Sequence, residues 1–384
     1  MDHVVIIGGG IAGTSAALAL HKAGIAATVY EAHPDSGEDI GAFLILGDNG
    51  MRALEQLDAA ETVAAVGFPL DSLRLVGPDG TTLAEMPLGS ERHRYRCLRR
   101  AELGAVLREE VRRRGVPIVQ GKRLAGATEE PDGVVAHFAG GDTARGDLLI
   151  GADGLNSVVR PLIDPEVPAR RYAGQQVFYG YTLDADPPHA PGRIDMIRGG
   201  AAFGYAVSPA GETFWFARVT DDELTDEHLF AGGPDQWRDR LISLLHQDDT
   251  PAADIVAATG ARLMATNAHD LPSVPRWSSA RMLIIGDAAH AASPASGQGA
   301  SMAIEDAVVL GKALRDLDRA SALAGYERLR RPRVETNIAN SARLSATPTN
   351  QRPGPAPGSV DERDVAAETE RDIADQIDWD TPVG

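Results

Sequence analysis

Three glycine-bearing segments, far apart in the chain, carry residue types suited to gripping phosphates and a polyol. They are Gly8-Gly9-Gly10-Ile11-Ala12-Gly13, then Gly151-Ala152-Asp153-Gly154, then Gly286-Asp287-Ala288-Ala289-His290 followed by Pro294 and Gly297-Gln298-Gly299. In the first, Gly8 permits a tight turn, Gly10 lets the backbone approach a pyrophosphate, and Gly13 allows close packing of helix on strand. Amides at a helix start then face the phosphates, where the helix dipole favours negative charge. Glu31 is spaced to accept hydrogen bonds from an adenosine ribose, and its charge disfavours a 2′-phosphate there. This segment alone leaves FAD and NAD open.

The elements that must position these residues are legible around them. Val4-Val5-Ile6-Ile7 is a β-branched run suited to a buried parallel strand, Thr14 to Ala23 reads as a helix ended by Gly24, and Ala27 to Glu31 reads as the next strand. Leu148 to Ile150 again precedes a glycine turn and a helix start, with Asn156 or Ser157 available as cap. Arg281 to Asp287 reads as strand then turn, and Gly297-Gln298-Gly299 opens an Ala-rich helix from Ala300 to Leu314. An aspartate just past a strand, followed by helix amides, suits a ribitol hydroxyl and the pyrimidine edge of an isoalloxazine. The second and third segments therefore point to flavin.

In this order the three segments resemble the fingerprints of the single-component FAD-dependent aromatic hydroxylases, the para-hydroxybenzoate hydroxylase-like flavin monooxygenases, over roughly residues 1–335. The resemblance implies an α/β fold: an FAD-binding Rossmann-like (βαβ) domain, an inserted antiparallel β-sheet substrate domain and a C-terminal helix. It implies that Gly8, Gly10, Ile11, Ala12, Gly13, Glu31 and Ala32 hold the ADP half of FAD. Asp153 would lie near both FAD and the nicotinamide path, Gly286 and Asp287 at the ribitol, and Pro294, Gly297, Gly299, Ala300 and Ser301 along the ring. Ser301 stands where many relatives have Asn. Arg100, in Arg100-Ala101-Glu102-Leu103, resembles an arginine that approaches the phosphates or ribitol. Ala42 and Ile45, in the segment from Gly41, match backbone contacts beside the flavin, and Leu124 matches one beside the adenine.

The same resemblance implies the activity. NADPH or NADH would visit transiently to reduce FAD, and dioxygen would form a flavin hydroperoxide that hydroxylates an aromatic or polyketide-like small molecule. An epoxidase, reductase or halogenase of the same fold is the alternative, although Trp215, Trp237, Trp277 and Trp379 are isolated and form no Trp-x-Trp-x-Ile motif. A non-catalytic nucleotide-binding protein would gain nothing from Asp153 and Asp287. No side chain is spaced as a convincing catalytic base. His290 reads as a brace for its own loop, and Glu305 and Asp306 as partners of motif backbone or solvent.

Bulk properties narrow the partners. The 384-residue chain carries a formal net charge of −18 without a long basic run, which argues against nucleic acid and means that any anionic ligand needs a local basic patch. A single cysteine, Cys97, excludes an internal disulfide, and no metal site is expected. No apolar stretch reaches the roughly 20 residues that span a bilayer, and no basic leader precedes Val4, so a cytoplasmic monomer or homodimer is expected.

Patterning divides the chain into a discontinuous FAD-binding domain (1–71, 92–172 and 270–340), a substrate domain (72–91 and 173–269) and a C-terminal linker and helix (341–384). Aromatic residues crowd between Tyr172 and Phe216, and Met196, Phe203, Tyr205, Phe214 and Phe216 are the candidate pocket residues. Residues 321–345 read as a helix interrupted by Pro332, whose basic segment Arg328 to Arg333 is either a solvated face or a docking patch for the nicotinamide phosphate. Thr347 to Ser359 reads as a proline-rich linker and Asp361 to Ile377 as an acidic helix.

Overall fold

The computed structural model describes residues 1–34, 42–346 and 373–384. The expectations for Gly41, for the linker Thr347 to Ser359 and for the acidic helix from Asp361 as far as residue 372 lie outside the described residues.

A five-stranded parallel sheet sits at the centre of the largest apolar core, in the order Met282–Ile284, Leu148–Gly151, Val4–Ile7, Ala27–Tyr30, Ile118–Val119. Val4–Ile7 is buried along its whole length, as a β-branched strand covered on both faces must be. The three glycine turns follow three adjacent strands that run the same way, so all three emerge at one edge of the sheet. Helix Ile11–Lys22 begins earlier than Thr14, because Thr14 already closes a helical turn onto the Gly10 carbonyl at 3.0 Å. It packs against helix Gly299–Asp316 so closely that a Cβ on Gly311 would stand 2.8 Å from that of Ala19.

The second large sheet has seven strands, in the order Leu263–Asp270, Arg171–Thr182, Thr213–Thr220, Ala202–Val207, Arg193–Arg198, Ser72–Val76, Thr82–Pro87. It is antiparallel except where Arg193–Arg198 runs parallel to Ser72–Val76, which departs from the expected all-antiparallel pairing. One face packs on helices Pro234–Leu245 and Ala252–Ala257. The other meets a three-stranded sheet made of Phe43–Leu46, Tyr95–Arg99 and Phe68–Leu70. At the chain's end Ile377, Trp379 and Val383 are buried in the core around the parallel sheet, and Lys312 donates to the carbonyls of Asp375 and Gln376.

Helix Arg319–Ala346 passes through Pro332 without a break, contrary to the sequence expectation. Its basic segment is locked on both sides of the proline. Arg330 is fully buried and pairs with Glu305 and Asp306, each at 2.7 Å. Arg333 also pairs with Glu305, Arg331 with Glu327 and Glu335, and Arg328 donates to the Gly384 carbonyl. Arg330, Arg331 and Arg333 are thus held in ion pairs, so the segment is not simply a solvated face, while Arg328 stays exposed. Glu305 and Asp306 are likewise buried partners of these arginines, and not groups facing solvent.

Burial alone would raise the Asp306 pKa; His290 and Arg330 beside it outweigh that and hold the carboxyl well below the ordinary range. A depressed folded-state pKa gives stability that is present above the unfolded value and lost as pH falls through the folded one. Urea midpoints are therefore expected to drop as pH falls below about 4, with a shallower drop in Asp306→Asn. Arg330→Leu, which removes the buried cation shared by Glu305 and Asp306, is expected to cost about 3–5 kcal/mol in urea unfolding at neutral pH. A loss below about 1 kcal/mol would show that the pairs contribute no more than surface ones.

Candidate cofactor and substrate site

The three turns touch one another. Gly8 has φ 105°, a left-handed conformation open to glycine, and a Cβ there would stand 2.3 Å from the Ala152 carbonyl oxygen of the second turn. Gly286 has φ 58°, and a Cβ there would stand 2.8 Å from that of Ala12 in the first. Within the first turn, a Cβ on Gly13 would lie 1.9 Å from the Gly8 carbonyl oxygen. Gly10 and Gly297, in contrast, would place a Cβ in open space. Close-packed glycines thus bring the turns together, and open ones leave backbone available to a ligand.

Glu31 directly follows strand Ala27–Tyr30, with Oε2 accepting the Gly9 N–H at 2.6 Å and Oε1 accepting the His33 N–H at 2.9 Å. Ala32 beside it is half-buried. Leu124 is buried, and its strand follows the Lys122 N–H that binds the Glu31 carbonyl at 2.8 Å. Arg108, on helix Arg100–Arg113, stands where burial lowers its pKa and the charge of Glu31 opposes that lowering. Sequence reading missed Arg108; its spacing of two helical turns from Arg100, with Gly104 between them, was the available signal. Arg100 itself is exposed, its N–H bound to the Ala42 carbonyl at 3.0 Å. Ala42 and Ile45 are half-buried beside it.

Asp153 uses Oδ2 to accept the N–H groups of Val158 and Val159 at 2.7 and 3.1 Å. Its Oδ1 is buried with no hydrogen-bond partner among the described residues, and burial pushes its pKa up. In this structure Asp153 caps helix Val159–Ile163, assisted by Ser157, whose hydroxyl accepts the Arg160 N–H at 3.0 Å. Arg160 ties the second turn to the third by donating to the carbonyls of Leu155 and Ala288. This brace had no signal in the spacing.

Asp287 is exposed at the third turn, and a Cβ on Gly299 would lie 3.9 Å from its Oδ1, so the carboxylate stands beside the start of helix Gly299–Asp316. Pro294, Gly297 and Gly299 are exposed and Ala300 half-buried along the same stretch. Asp306 accepts the Gly286 N–H at 2.9 Å and contacts His290 Nε2 at 2.5 Å. His290 is therefore a brace, as its position suggested. Ser301 is fully buried and accepts the Gly47 N–H at 3.2 Å, so its side chain braces residues 47–50 and does not line the open face.

Above the turns, the seven-stranded sheet presents an apolar face to Phe43, whose ring lies 6.2 Å from Tyr179, 5.7 Å from Phe214 and 6.1 Å from Phe216. Met196 shares this face. Phe203 and Tyr205 do not: the register pairs Gly204 with Met196 and Phe216, so the residues on either side of Gly204 point the other way. Phe203 stacks on Trp215 at 5.5 Å, and the Tyr205 hydroxyl donates to the Pro188 carbonyl at 2.6 Å. Both belong to the core behind the sheet, which corrects their candidacy as pocket residues. Tyr179 and Arg218, missed in the sequence, stand on the open face by the same alternation from Phe216.

These residues fit a flavin dinucleotide. Open glycine backbone is available for a pyrophosphate, Glu31 suits a ribose, and exposed Asp287 beside a helix start suits a ribitol. Such a cleft, roofed by an apolar sheet face, defines an FAD-dependent oxidoreductase.

Comparison with known proteins agrees. Residues 1–341 match the family described as FAD binding domain. The chain is 31% identical over 347 residues to the Aurachin C monooxygenase/isomerase of Stigmatella aurantiaca, covering 89% of this chain and 88% of that one. It is 32% identical over 347 residues to the FAD-dependent urate hydroxylase of Klebsiella pneumoniae, covering 86% of each. The 3-amino-4-hydroxybenzoate 2-monooxygenase of Streptomyces platensis is 33% identical over 348 residues, covering 86% and 84%. The crystal structure of Klebsiella pneumoniae HpxO complexed with FAD and uric acid superposes with a TM-score of 0.81 at 28% identity, covering 98% and 96%. The chain belongs to this FAD-binding family of flavin-dependent monooxygenases.

The glycines separate packing from ligand contact. Gly13→Ala is expected to lower apoprotein stability by about 1–3 kcal/mol through overpacking, read in thermal unfolding without FAD. Gly10→Ala is expected to leave apoprotein stability unchanged and to weaken FAD binding. Asp287→Ala should also weaken FAD retention at unchanged apoprotein stability; unaltered FAD affinity in both would remove these positions from the site.

Proposed function

We propose that this enzyme transfers one oxygen atom from dioxygen to an aromatic or polyketide-like small molecule, with NADH or NADPH as electron donor. The balance is substrate, dioxygen, NAD(P)H and a proton giving hydroxylated product, water and NAD(P)+. The observation that carries this reading is the convergence of three glycine turns beneath the face formed by Phe43, Tyr179, Phe216 and Met196. Relatives named for oxidation of urate and of an aminohydroxybenzoate support a flat, oxygen-bearing ring as substrate.

FAD, when bound, supplies two-electron redox chemistry and oxygen activation. The chain's own residues bind, orient and exclude water. Amides of Gly10 to Ala12 would hold the pyrophosphate, Glu31 the ribose and Asp287 the ribitol. Amides around Gly297 to Ala300 would stabilise negative charge at the pyrimidine edge. Asp153 enters this reading as a positioning residue through its helix, and Arg100 and Arg108 as cations on the ADP and ribitol side. The apolar sheet face limits water where the reactive oxygen must meet substrate, and holding a ring there supplies proximity. Burial pushes the Tyr179 hydroxyl up to about 12, with Arg218 and Arg100 opposing. At neutral pH it is thus a hydrogen-bond donor and not a general base.

Division of the chain into a cofactor part (1–71, 92–172, 270–340) and a substrate part (72–91, 173–269) belongs to the same reading. So does a cytoplasmic setting, consistent with a lone buried Cys97 and with no helix among the described residues long and apolar enough to cross a membrane.

Turnover under oxygen-18 gas with NAD(P)H and a panel of hydroxylated and aminated aromatic rings is expected to put one labelled atom in the product of any substrate that stimulates coupled oxidation. Stimulated, coupled turnover without label would reject oxygen transfer.

A further inference from the structure

Trp379 is buried where two helices pack together, and a cation from each of them reaches its ring. A Cβ on Gly311 of helix Gly299–Asp316 would stand 3.2 Å from the Trp379 ring and 2.8 Å from the Cβ of Ala19 in helix Ile11–Lys22. Lys22 of the second helix lies 5.3 Å from the ring centroid and Arg315 of the first lies 5.1 Å from it, both within cation–π reach. The Trp379 backbone is held as well. Its carbonyl accepts from Arg315 at 2.6 Å, and its N–H donates to the Gln56 side chain at 2.9 Å. Nearby, Lys312 is 1% exposed and donates to the carbonyls of Asp375 and Gln376 at 3.2 and 2.7 Å. These carbonyls satisfy a charge that burial penalises, so they tie main chain, and not only a side chain, to the helix. Ile377 and Val383 are buried on either side, and the Val383 N–H donates to Asp316 at 2.9 Å.

These two helices matter because of where they begin. Helix Ile11–Lys22 starts at the first glycine turn, and helix Gly299–Asp316 starts in the third cofactor segment. At the cleft end they meet across Gly286, whose Cβ would stand 2.8 Å from that of Ala12 and 3.5 Å from that of Ala303. At the far end they meet at Ala19 and Gly311, where Trp379 packs. At about 1.5 Å of rise per residue, Lys22 and Gly311 each stand roughly 17 Å behind their helix starts. Gln56 adds a third rod. It ends helix Asp48–Gln56, whose front residue Asn49 donates to Gln298 and Glu305 at 3.1 and 2.6 Å. A stiff helix carries a constraint from one end to the other, so a contact at the rear sets the aim of the amides at the front.

Resting on the placement of FAD proposed above, we propose that Trp379 is a positioning residue for the cofactor. Packed behind both helices, it fixes the spacing of their starts. One flavin dinucleotide can then reach the pyrophosphate-facing amides of Gly10 to Ala12 and the ring-facing amides around Gly297 to Ala300 together. A ligand that spans two sites depends on the distance between them, and a ligand that uses one site does not. FAD spans both helix starts. ADP, which has the adenosine and pyrophosphate without the ring, engages only the first.

The test compares FAD and ADP binding to full-length apoprotein, FAD by fluorescence titration and ADP by competition against it, at a temperature where each variant is folded by circular dichroism. Trp379→Leu is expected to bind FAD about tenfold or more weakly and to bind ADP within about twofold of wild type. Its holoenzyme is expected to release FAD about tenfold faster on dilution. Leu241→Ala, a cavity in the core behind the seven-stranded sheet, is the control for lost stability. It is expected to lower the unfolding temperature and leave both affinities unchanged, since the affinity of the folded state does not depend on how often the chain unfolds. Arg315→Gln, which removes the carbonyl bond and one cation but keeps the ring, gives the same comparison if Trp379→Leu yields no folded apoprotein. Unchanged FAD affinity in the folded variant would overturn the proposal, since Trp379 would then serve packing alone. Equal loss of FAD and ADP affinity would overturn it too, because that reports damage to the first helix and not a changed spacing. So would an ADP that fails to compete in the wild type, because two separate grips are required. The FAD placement itself fails separately, if Gly10→Ala and Asp287→Ala leave FAD affinity unaltered.

Discussion

Three backbone turns approach one another more closely than any side chain allows, and the site exists because glycine permits it. Gly8 lies against the Ala152 carbonyl, Gly13 against the Gly8 carbonyl and Gly286 against Ala12. Parallel strands deliver the turns to one sheet edge; only missing Cβ atoms let them close into a single cradle. Where the packing relaxes, at Gly10 and Gly297, backbone is left for a ligand. The same residue type therefore does two jobs a few positions apart, and the distance to the nearest neighbour tells them apart.

That cradle is held from behind by charge. Asp306 takes the Gly286 N–H with one carboxylate oxygen and Arg330 with the other, while Glu305 joins Arg330, Arg333 and Asn49. Buried ion pairs bring modest net stability because desolvation offsets attraction. Their effect here is to give the third turn one geometry: the carboxylate that receives Gly286 is anchored to two helices at once. Asp287, the next residue, is left exposed and free of any such duty. Arg160 works similarly from the second turn, reaching the Ala288 carbonyl. The exposed groups of the third turn thus rest on buried polar groups behind it.

The roof follows a different rule. Strand alternation sends Phe203, Tyr205 and Trp215 into the core behind the sheet and Tyr179, Phe214, Phe216 and Arg218 toward the cleft. Nearly all the aromatic surface is spent on packing, on one face or the other. Tyr179 and Arg218 are among the polar side chains that this alternation leaves on the cleft side of the sheet.

Much of this was legible in the chain itself. The strand–glycine–helix pattern at Val4 to Gly13, the acid at Glu31 and the paired Gly286-Asp287 are local signals, because a turn's demand for glycine and a helix start's affinity for anions act over a few residues. Helix continuity through Pro332, the burial of Arg330 and Ser301, and the use of Asp153 as a helix cap were not legible. The first three depend on what a distant segment places alongside, residues 302–306 or residues 47–50, whereas the Asp153 cap closes within six residues and was masked by the nearer candidates Asn156 and Ser157. Likewise the sequence showed an aromatic cluster but not its two faces, since a one-residue change in register between neighbouring strands reverses every side chain. Short-range backbone chemistry thus determined from sequence alone the glycine turns proposed to grip the cofactor, while the side of the roofing sheet that each residue occupies was decided only when long-range strand pairing set the register.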